Sequence, residues 1–499
     1  MLLALLVREL RWLQTAVMMN DGPEFLRLAQ AISAGDWGTA LAHKYHPGYP
    51  AAVAAAHLVL PNWEQAAVAV SVLAGALAVG AMYLLLRDAF GVRAARIGAF
   101  LLAVHPVAIE LSDVQSDPLY LAFVLLSAAL LLRAYLQERP LAAAWAGAVS
   151  GLAYLTRPEG VGTVLVGLGL AALALSQRHW SVSRALRFAA PLCVGAALVM
   201  SPYVAVVSQQ TGGLALTQKK SIGQLLGLSR PAEKHAAKLD PLLEARPDLK
   251  PLPRGVRPFR DVPSATGAAS LPFAAKLVVR EILKALRAEG VLLLLLGFFA
   301  VRGRLEARGW FFAAYAALYL VVFFGLAASA DYLSRRHVFP PASLFFGYMG
   351  VGVLALAQWL ARLQPLASRP ALRVAAPLAL VAALGLGKSL RPDRVEALPE
   401  RRIAQWIRAA GALAPGEAVA GVKERIGYYA GARFVDLRRA PHPDVLLEYL
   451  RRERVRYVVV DERERVELLR LTAGAPDALA ELRHEEVGGH AAFVFEVRS

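Results

Sequence analysis

Stretches of about 20 consecutive apolar residues, the length that an α-helix needs to cross a bilayer, recur along residues 1–389 of the chain. The pattern predicts about eleven such spans. In order they are 1–19, 64–87, 94–112, 117–136, 140–156, 159–176, 184–207, 287–301, 308–329, 336–361 and 370–389. The first span is the weakest, because Arg8, Glu9 and Arg11 interrupt it. The pattern therefore predicts an all-α, polytopic membrane domain over residues 1–389.

The segments between these spans alternate in charge. Basic segments fall at alternate crossings, namely 87–96, 133–140, 177–187, 302–309 and 361–373. Because short loops rich in Lys and Arg stay on the cytoplasmic side, this phase predicts a cytoplasmic N-terminus. It also predicts that the outer loops 20–63 and 208–286 and the tail from about 390 are extracytoplasmic. At the end of the long outer loop 208–286, apolar residues at helical spacing over 273–290 predict an amphipathic helix along the membrane surface.

The tail, 390–499, has a different pattern. Short apolar runs at 417–422, 432–437, 456–462 and 491–497 predict β-strands, and helical patterns at 401–413 and 444–454 lie between them. Strands that alternate with helices are typical of a small α/β domain. The tail contains no GxGxxG or phosphate-loop motif, so the sequence gives no reason to assign it a nucleotide.

Composition narrows the class of protein. Hydrophobic residues make up 57% of the chain and charged residues only 19%, which is too little charge for the surface of a soluble protein of 499 residues. The net charge of +17 is spread between the apolar spans, so it indicates cytoplasmic loops rather than a nucleic-acid partner. The single cysteine, Cys193, excludes a disulfide within the chain and a metal site built from several cysteines.

The opening outer loop carries the first candidate acids, Asp21 and Glu24, just before a helical pattern. Their Asp-x-x-Glu spacing fits a helix capping box. It equally fits a carboxylate that removes a proton from an acceptor, or one that holds a divalent cation against a phosphate. The sequence shows no clear cluster of metal ligands, so a cation is compatible with the pattern but not indicated by it.

A second outer loop contains Asp113 and Asp117. Asp117 precedes Pro118, which is the pattern of a helix N-cap followed by proline at the first helical position. The alternative is a pair of acids that serves as a general base or binds a metal on the same face as Asp21.

Basic residues in the outer loops are exceptions to the rule that Lys and Arg stay on the cytoplasmic side, so a negatively charged partner is expected near them. They are Arg157, Lys219, Lys220, Arg335 and Arg336. One interpretation pairs the arginines with Glu159 or Asp331. The other is an anionic ligand, because guanidinium groups bind phosphate bidentately and stabilise it as a leaving group. A solvated pair is the plainer interpretation of the two lysines.

Three further outer residues, His46, Tyr49 and His337, are candidates for contacts to an acceptor or within the loops. A lone histidine at a helix start is more often structural. Tyrosines near a membrane surface more often anchor a loop at the interface than stack on a sugar.

Ordered motifs now connect the chain to a known family. They are DGPEF at 21–25, HPGYP at 46–50, SDPLY at 116–120, LAYLTRPEG at 152–160 and LSRRHVFP at 333–340. Together with the topology, they resemble glycosyltransferases of the GT-C fold. Among these enzymes, the chain is most similar to the protein O-mannosyltransferases and the bacterial aminoarabinose transferases of lipid A.

The resemblance implies an inverting transferase in the bacterial inner membrane that takes a sugar from a polyprenyl-phosphate donor and acts at the outer face on an acceptor that the sequence does not identify. It implies that Asp21 is the acid of the first loop and candidate base, that Asp117 is the acid of the second, and that Arg336 contacts phosphate. The chain departs from the family at His337, where tyrosine is commoner, and in the spacing of its first acid pair. Two rivals remain open at this stage: a transporter or flippase of lipid-linked sugars, and an inactive membrane scaffold.

Overall fold

The computed structural model describes residues 1–218, 241–244, 246, 248–249, 259, 271–302, 307–330, 333–363, 368–411 and 413–498. Internal contacts divide the chain into two compact units. Unit 1 consists of Met1–Trp12, Phe25–Ser229 and Ala269–Arg391, and unit 2 of Leu13–Glu24, Arg230–Ala268 and Pro392–Ser499. A short N-terminal segment, which contains Asp21, therefore groups with the tail.

Helices are the main secondary structure of the described residues up to 389. They are α1 (Leu2–Leu13), α2 (Gly22–Ser33), α3 (Trp37–Leu41), α4 (Gly48–His57), α5 (Trp63–Phe90), α6 (Val92–Val104), α7 (Pro106–Glu110), α8 (Asp117–Gln137), α9 (Pro140–Thr156), α10 (Gly162–Ser176), α11 (Val182–Thr211), α12 (Pro241–Glu244), α13 (Leu271–Ala300), α14 (Ala307–Ala330), α15 (Arg335–Ser343), α16 (Phe346–Leu360) and α17 (Pro370–Ser389). A turn of 3-10 helix, Pro158–Val161, precedes α10.

Six stretches among the described residues are long and apolar enough to cross a membrane. They are Trp63–Phe90, Asp117–Gln137, Pro158–Ser176, Val182–Thr211, Arg308–Ala328 and Pro370–Ser389. The pair α15 and α16, bent by 66°, makes a seventh if it is one broken span. The predicted count of about eleven spans is not confirmed, since α1, α6 and α9 have only 12, 13 and 17 residues and the predicted span 287–301 is not among these candidates.

The predicted amphipathic helix over 273–290 lies inside α13, a 30-residue element. Arg287 interrupts the helical backbone with φ 64° and ψ 163°. This left-handed conformation is uncommon for a residue with a side chain. It separates the amphipathic N-terminal part of α13 from its apolar C-terminal part.

The arginines that weaken the first predicted span have structural partners in unit 1. Pro106 has no N–H group, so α6 stops and its last carbonyls lack helical donors. The buried Arg8 donates from Nη1 to the Ala103 carbonyl at 3.3 Å. One turn later along α1, Arg11 donates to the carbonyls of Ser389 and Arg391 at the end of α17, at 3.1 and 2.8 Å. Both cations therefore lie at helix C-termini, where the helix dipole favours them.

Close packing of α9 against α11 depends on two glycines. A Cβ atom on Gly147 would lie 1.9 Å from the Leu192 carbonyl oxygen, and one on Gly195 would lie 2.1 Å from that of Ala144. No side chain fits at such distances, so the two backbones touch only because these positions are glycine. This contact holds α9, and with it Arg157 directly after its last residue.

Unit 2 contains a five-stranded sheet with the order β2-β1-β3-β5-β4. Its strands are β1 (Ala418–Gly421), β2 (Arg433–Asp436), β3 (Val455–Asp461), β4 (Leu479–Val487) and β5 (His490–Val497), and its helices are α18 (Leu398–Ala409), α19 (Arg425–Ala430), α20 (Leu446–Arg452) and α21 (Glu462–Leu471). β1, β2 and β3 are parallel, whereas β5 pairs antiparallel with β3 and β4.

The four strands predicted from apolar runs are all present in the sheet. A fifth strand, β4, was not predicted, because its segment LAELRHEEV is highly charged. β4 is an edge strand with mostly exposed side chains, so it has no apolar pattern to reveal it.

Buried charges connect α18 to the carboxyl ends of β1 and β3. Glu400 accepts hydrogen bonds from Lys423 Nζ at 2.6 Å and from Arg425 Nη2 at 3.0 Å. Lys423 also donates to Asp461 at 3.0 Å. Asp461 and Glu464 form a capping box at the start of α21. Burial raises the pKa of the Glu464 carboxyl from its ordinary 4.5 to about 7, although the Lys423 ammonium opposes the shift.

Glu464→Gln should make unit 2 less sensitive to pH. Between about 4.5 and about 7, Glu464 holds its proton in the folded protein but not in the unfolded one, so the wild type loses stability as pH rises through this window. Glutamine keeps the capping box and has no proton to lose. We expect the variant to match the wild type at about pH 4, below both pKa values, and to exceed it by about 1–3 kcal/mol at pH 8. Amide hydrogen exchange of Val455–Asp461 in the full chain measures this local stability.

The control is Glu462→Gln, an exposed residue in the same first turn of α21. It should show no pH-dependent difference from the wild type. Equal protection of the Glu464→Gln variant and the wild type at both pH values would contradict the raised pKa.

Candidate active site

Six charged side chains of unit 1 come together where helices begin and end. They are Glu110, Asp117, Arg157, Glu159, Arg335 and Arg336, here called the arginine–carboxylate cluster. Glu110 ends α7, Asp117 begins α8, Arg157 follows α9, and the two adjacent arginines begin α15. Asp117, Arg157 and Arg336, which come from three different predicted outer loops, thus meet at one place.

Asp117 is the centre of the cluster. Its side chain is fully buried, and each carboxylate oxygen accepts from a different guanidinium. Arg157 Nη1 donates to Oδ1 at 2.7 Å, and Arg336 Nη2 donates to Oδ2 at 2.9 Å. Asp117 is the first residue of α8 rather than its predicted cap, because Ser116 occupies the N-cap position. A carboxylate held in this way orients two arginines. This arrangement suits Asp117 to positioning the arginines better than to taking a proton from an acceptor.

Two further pairs complete the cluster. Arg335 Nη2 donates to Glu110 at 2.7 Å, and Arg157 Nε lies 3.5 Å from Glu159. The prediction that Arg157 pairs with Glu159 is therefore confirmed, with Asp117 as its shorter contact. Residue 331, the other predicted partner, lies outside the described residues.

Formal charge balances across the cluster, since three arginines face three carboxylates. Such a site does not attract phosphate by net charge. Instead, its arginines present oriented N–H donors to which phosphate oxygens can bind. A guanidinium has five of these, so one bond to a carboxylate does not exhaust it. The side chains of Arg335, Arg336 and Arg157 are 40%, 28% and 13% exposed, respectively, so the two arginines of α15 are the more accessible to a ligand.

Buried tyrosines extend the polar region away from the cluster. The Arg157 guanidinium lies over the ring of Tyr120, 5.7 Å from its centroid. The hydroxyls of Tyr120 and Tyr319 are 3.4 Å apart, and the Tyr319 hydroxyl donates to the Glu159 carbonyl at 3.3 Å. Sequence reasoning missed both tyrosines and the role of Glu110 as the partner of Arg335. The one available signal was the positive charge of these outer loops, which the topology rule expects to be compensated.

His46 and Tyr49 make contacts within the protein. The buried His46 bonds through Nδ1 to the Tyr154 carbonyl at 2.6 Å, and its Nε2 lies 3.4 Å from Thr217 Oγ1. The Tyr49 hydroxyl donates to the Ala67 carbonyl at 3.0 Å and lies 3.0 Å from Ser71 Oγ. These contacts fit the loop-contact interpretation of both residues, and an acceptor contact stays a prediction.

Asp113 and His337 also have local partners. Asp113 is buried and accepts from the Val114 N–H at 2.6 Å. His337 Nδ1 lies 2.9 Å from Ser334 Oγ at the start of α15. Among the described residues, no three His, Cys, Asp or Glu side chains come together as a metal site. A divalent cation therefore stays a prediction.

The remaining candidates lie elsewhere. Asp21 and Glu24 belong to unit 2, where Asp21 directly precedes α2 and Glu24 is buried in its first turn. Lys219 and Lys220 lie outside the described residues. The catalytic role of Asp21 and the phosphate-binding role of the two lysines stay predictions.

Comparison with known proteins supports the family resemblance. A family model described as dolichyl-phosphate-mannose-protein mannosyltransferase matches residues 45–205, which include Asp117 and Arg157. A search of curated protein sequences found no match to the chain.

Solved structures share the fold over nearly the whole chain. ArnT from Cupriavidus metallidurans, bound to undecaprenyl phosphate, is 14% identical with a TM-score of 0.61, and the match covers 98% of this chain and 96% of that one. The oligosaccharyltransferase AglB from Archaeoglobus fulgidus, in complex with an inhibitory peptide and a dolichol-phosphate, is 13% identical with a TM-score of 0.53, covering 99% and 73%. The predicted resemblance to GT-C glycosyltransferases that use polyprenyl-phosphate carriers is confirmed.

Proposed function

We propose that this protein is an inverting glycosyltransferase of the bacterial inner membrane. It would move one sugar, a hexose or a pentose, from a polyprenyl-phosphate donor to an acceptor lipid, glycan or protein at the outer face. The observation that carries the proposal is the arginine–carboxylate cluster, in a chain whose family model describes transfer of mannose from dolichyl phosphate.

In this proposal, Arg335 and Arg336 bind the phosphate of the donor. Their N–H groups stabilise the negative charge that grows on phosphate as the bond from the anomeric carbon to the phosphate oxygen breaks. Asp117 acts through them as a positioning residue, since it holds Arg336 and Arg157 from its two oxygens.

Asp21 is the proposed general base. The acceptor oxygen or nitrogen attacks the anomeric carbon in line with the departing phosphate, which leaves with the bonding electron pair as polyprenyl phosphate. The acceptor proton passes to the Asp21 carboxylate. One displacement of this kind inverts the configuration at the anomeric carbon.

Asp21→Asn should reduce donor turnover by about 10²–10⁴-fold, the usual contribution of a general base. The measurement uses full-length protein in lipid with a panel of radiolabelled polyprenyl-phosphate sugars and follows release of free polyprenyl phosphate. The matched control is Asp36→Asn in the same loop, because Asp36 caps α3 through a 3.0 Å bond from the Thr39 N–H and has no proposed catalytic role.

Wild-type turnover in Asp21→Asn would show that Asp21 is not the base. If the wild type turned over no donor, the enzyme proposal would fail and transport of lipid-linked sugars between vesicle leaflets would be the next assay. Turnover that stops in EDTA and returns with Mg²⁺ or Mn²⁺ would establish a cation requirement.

A further inference from the structure

The segment before Asp21 is held by the tail, within unit 2. Thr15 pairs with Asp393 as a parallel β-bridge. The Asp393 N–H donates to the Gln14 carbonyl at 3.1 Å, and the Ala16 N–H donates to the Asp393 carbonyl at 3.0 Å. The backbone of the opening segment is therefore bound to the chain that leads into α18.

Side chains of the tail make further hydrogen bonds to this segment, as far as Asn20, the residue before Asp21. Arg401 donates to the Ala16 carbonyl at 2.6 Å, and the Tyr429 hydroxyl accepts from the Met18 N–H at 3.2 Å. Arg425 Nη1 donates to Asn20 Oδ1 at 2.9 Å. Successive contacts thus run from residue 14 to residue 20, the residue directly before Asp21.

Arg425 can hold Asn20 in one position because the Arg425 side chain is itself held by other residues. It is buried, and Glu400 accepts from both its Nε and its Nη2. Glu400 is held in turn by Lys423, which bonds to Asp461 at the end of β3. Asn20, by contrast, is exposed, so packing does little to place its side chain and the bond from Arg425 contributes to its position.

The location of this network in the sheet is informative. β1 and β3 are neighbours, and the chain leaves β1 towards β2 on one side and β3 towards β4 on the other, so the connections from these two strands run in opposite directions. Open α/β sheets bind ligands outside the carboxyl ends of the strands at such a point. Lys423 and Arg425 follow β1, and Asp461 ends β3. In this domain, the charged residues at the carboxyl ends of β1 and β3 include Arg425, which bonds to Asn20 of the same chain. Other open α/β sheets bind a ligand at this position.

We propose that the C-terminal domain positions the catalytic acid of the opening loop, with Arg425 acting through Asn20 to hold Asp21. The inference rests on the proposed function, in which Asp21 is the base. It assigns the domain a part in catalysis, because a small displacement of a proton acceptor lowers the rate of a displacement reaction steeply.

A double-mutant cycle tests the inference. Asn20→Ala removes the acceptor of one hydrogen bond and leaves the contacts of Arg425 to Glu400 in place. We expect kcat for donor turnover to fall about tenfold, with the KM for the donor unchanged. In an Asp21→Asn background, the same change should have no further effect, since the group that it positions is already lost.

Arg425→Lys provides a second readout. A lysine has no planar fork and reaches only one of the two partners. Faster amide hydrogen exchange at residues 18–22, together with lowered kcat, is expected. The control is Arg438→Lys, because Arg438 lies in the same domain and donates to Asp436 instead.

Each outcome decides between the roles. Equal losses from Asn20→Ala in both backgrounds, or an unchanged kcat, would overturn the positioning role while leaving the proposed function intact. Wild-type turnover in Asp21→Asn would overturn the base assignment and the inference together. Loss of donor turnover in Asp117→Asn but not in Asp21→Asn would retain the transferase and place its base elsewhere.

Discussion

Asp117→Asn is expected to reduce donor turnover at least about 100-fold and to destabilise unit 1 by about 3–5 kcal/mol. The substitution keeps the shape of the side chain and removes the charge that two guanidiniums share. Asp117 is fully buried, so water does not replace the lost interaction. Arg157 and Arg336 would then repel each other, and Arg336 would lose the geometry in which we propose that it binds phosphate.

The chain supplies a matched control for this substitution. Asp88, at the end of α5, also bonds two arginines, Arg87 at 2.9 Å and Arg133 at 2.5 Å. It lies in a predicted cytoplasmic loop, outside the arginine–carboxylate cluster. Asp88→Asn should lower the apparent melting temperature of the protein in lipid without lowering turnover per folded molecule. A similar turnover loss in both variants would show that the effect of Asp117→Asn is structural.

Arg336→Lys is expected to weaken binding of the donor and of the polyprenyl phosphate product by about 10–100-fold. A lysine keeps the charge but loses the planar fork that contacts Asp117 and that we propose contacts a phosphate oxygen at the same time. The KM for the donor and the inhibition constant of added undecaprenyl phosphate measure this effect. Because the change removes donors rather than charge, raised ionic strength should not reproduce it.

Comparison among the arginines makes the test specific. Arg335→Lys should affect donor binding in the same direction, since the Arg335 side chain is the most exposed of the three. Arg157→Lys should lower stability more than it raises KM, because Arg157 is mostly buried and bonds two carboxylates. Arg133→Lys, at the Asp88 site, should leave both binding constants unchanged. If all four variants bound donor alike, the cluster would not be the phosphate site.

The sequence by itself determined the membrane character of the chain and the helical identity of most of its spans, because burial in lipid requires long apolar runs that are visible without any tertiary information. It likewise showed the α/β nature of the tail, since interior strands are apolar. It did not reveal β4, whose side chains are mostly exposed at the edge of the sheet, or the shortness of α6, which a proline ends. The loops that contribute to the cluster were predicted to lie on the same side of the membrane, because the alternation of basic loops assigns each loop to one side.

Only the tertiary structure decided what those charges do. Asp117 and Arg336 are 219 residues apart, and no local pattern distinguishes an acid that abstracts a proton from one that is buried between two guanidiniums. The same limit applies to Asn20 and Arg425, which are 405 residues apart. Pairing between charges depends on distance in space, whereas hydrophobic periodicity depends on distance along the chain. The sequence therefore determined which residues could carry chemistry, and the fold decided their partners.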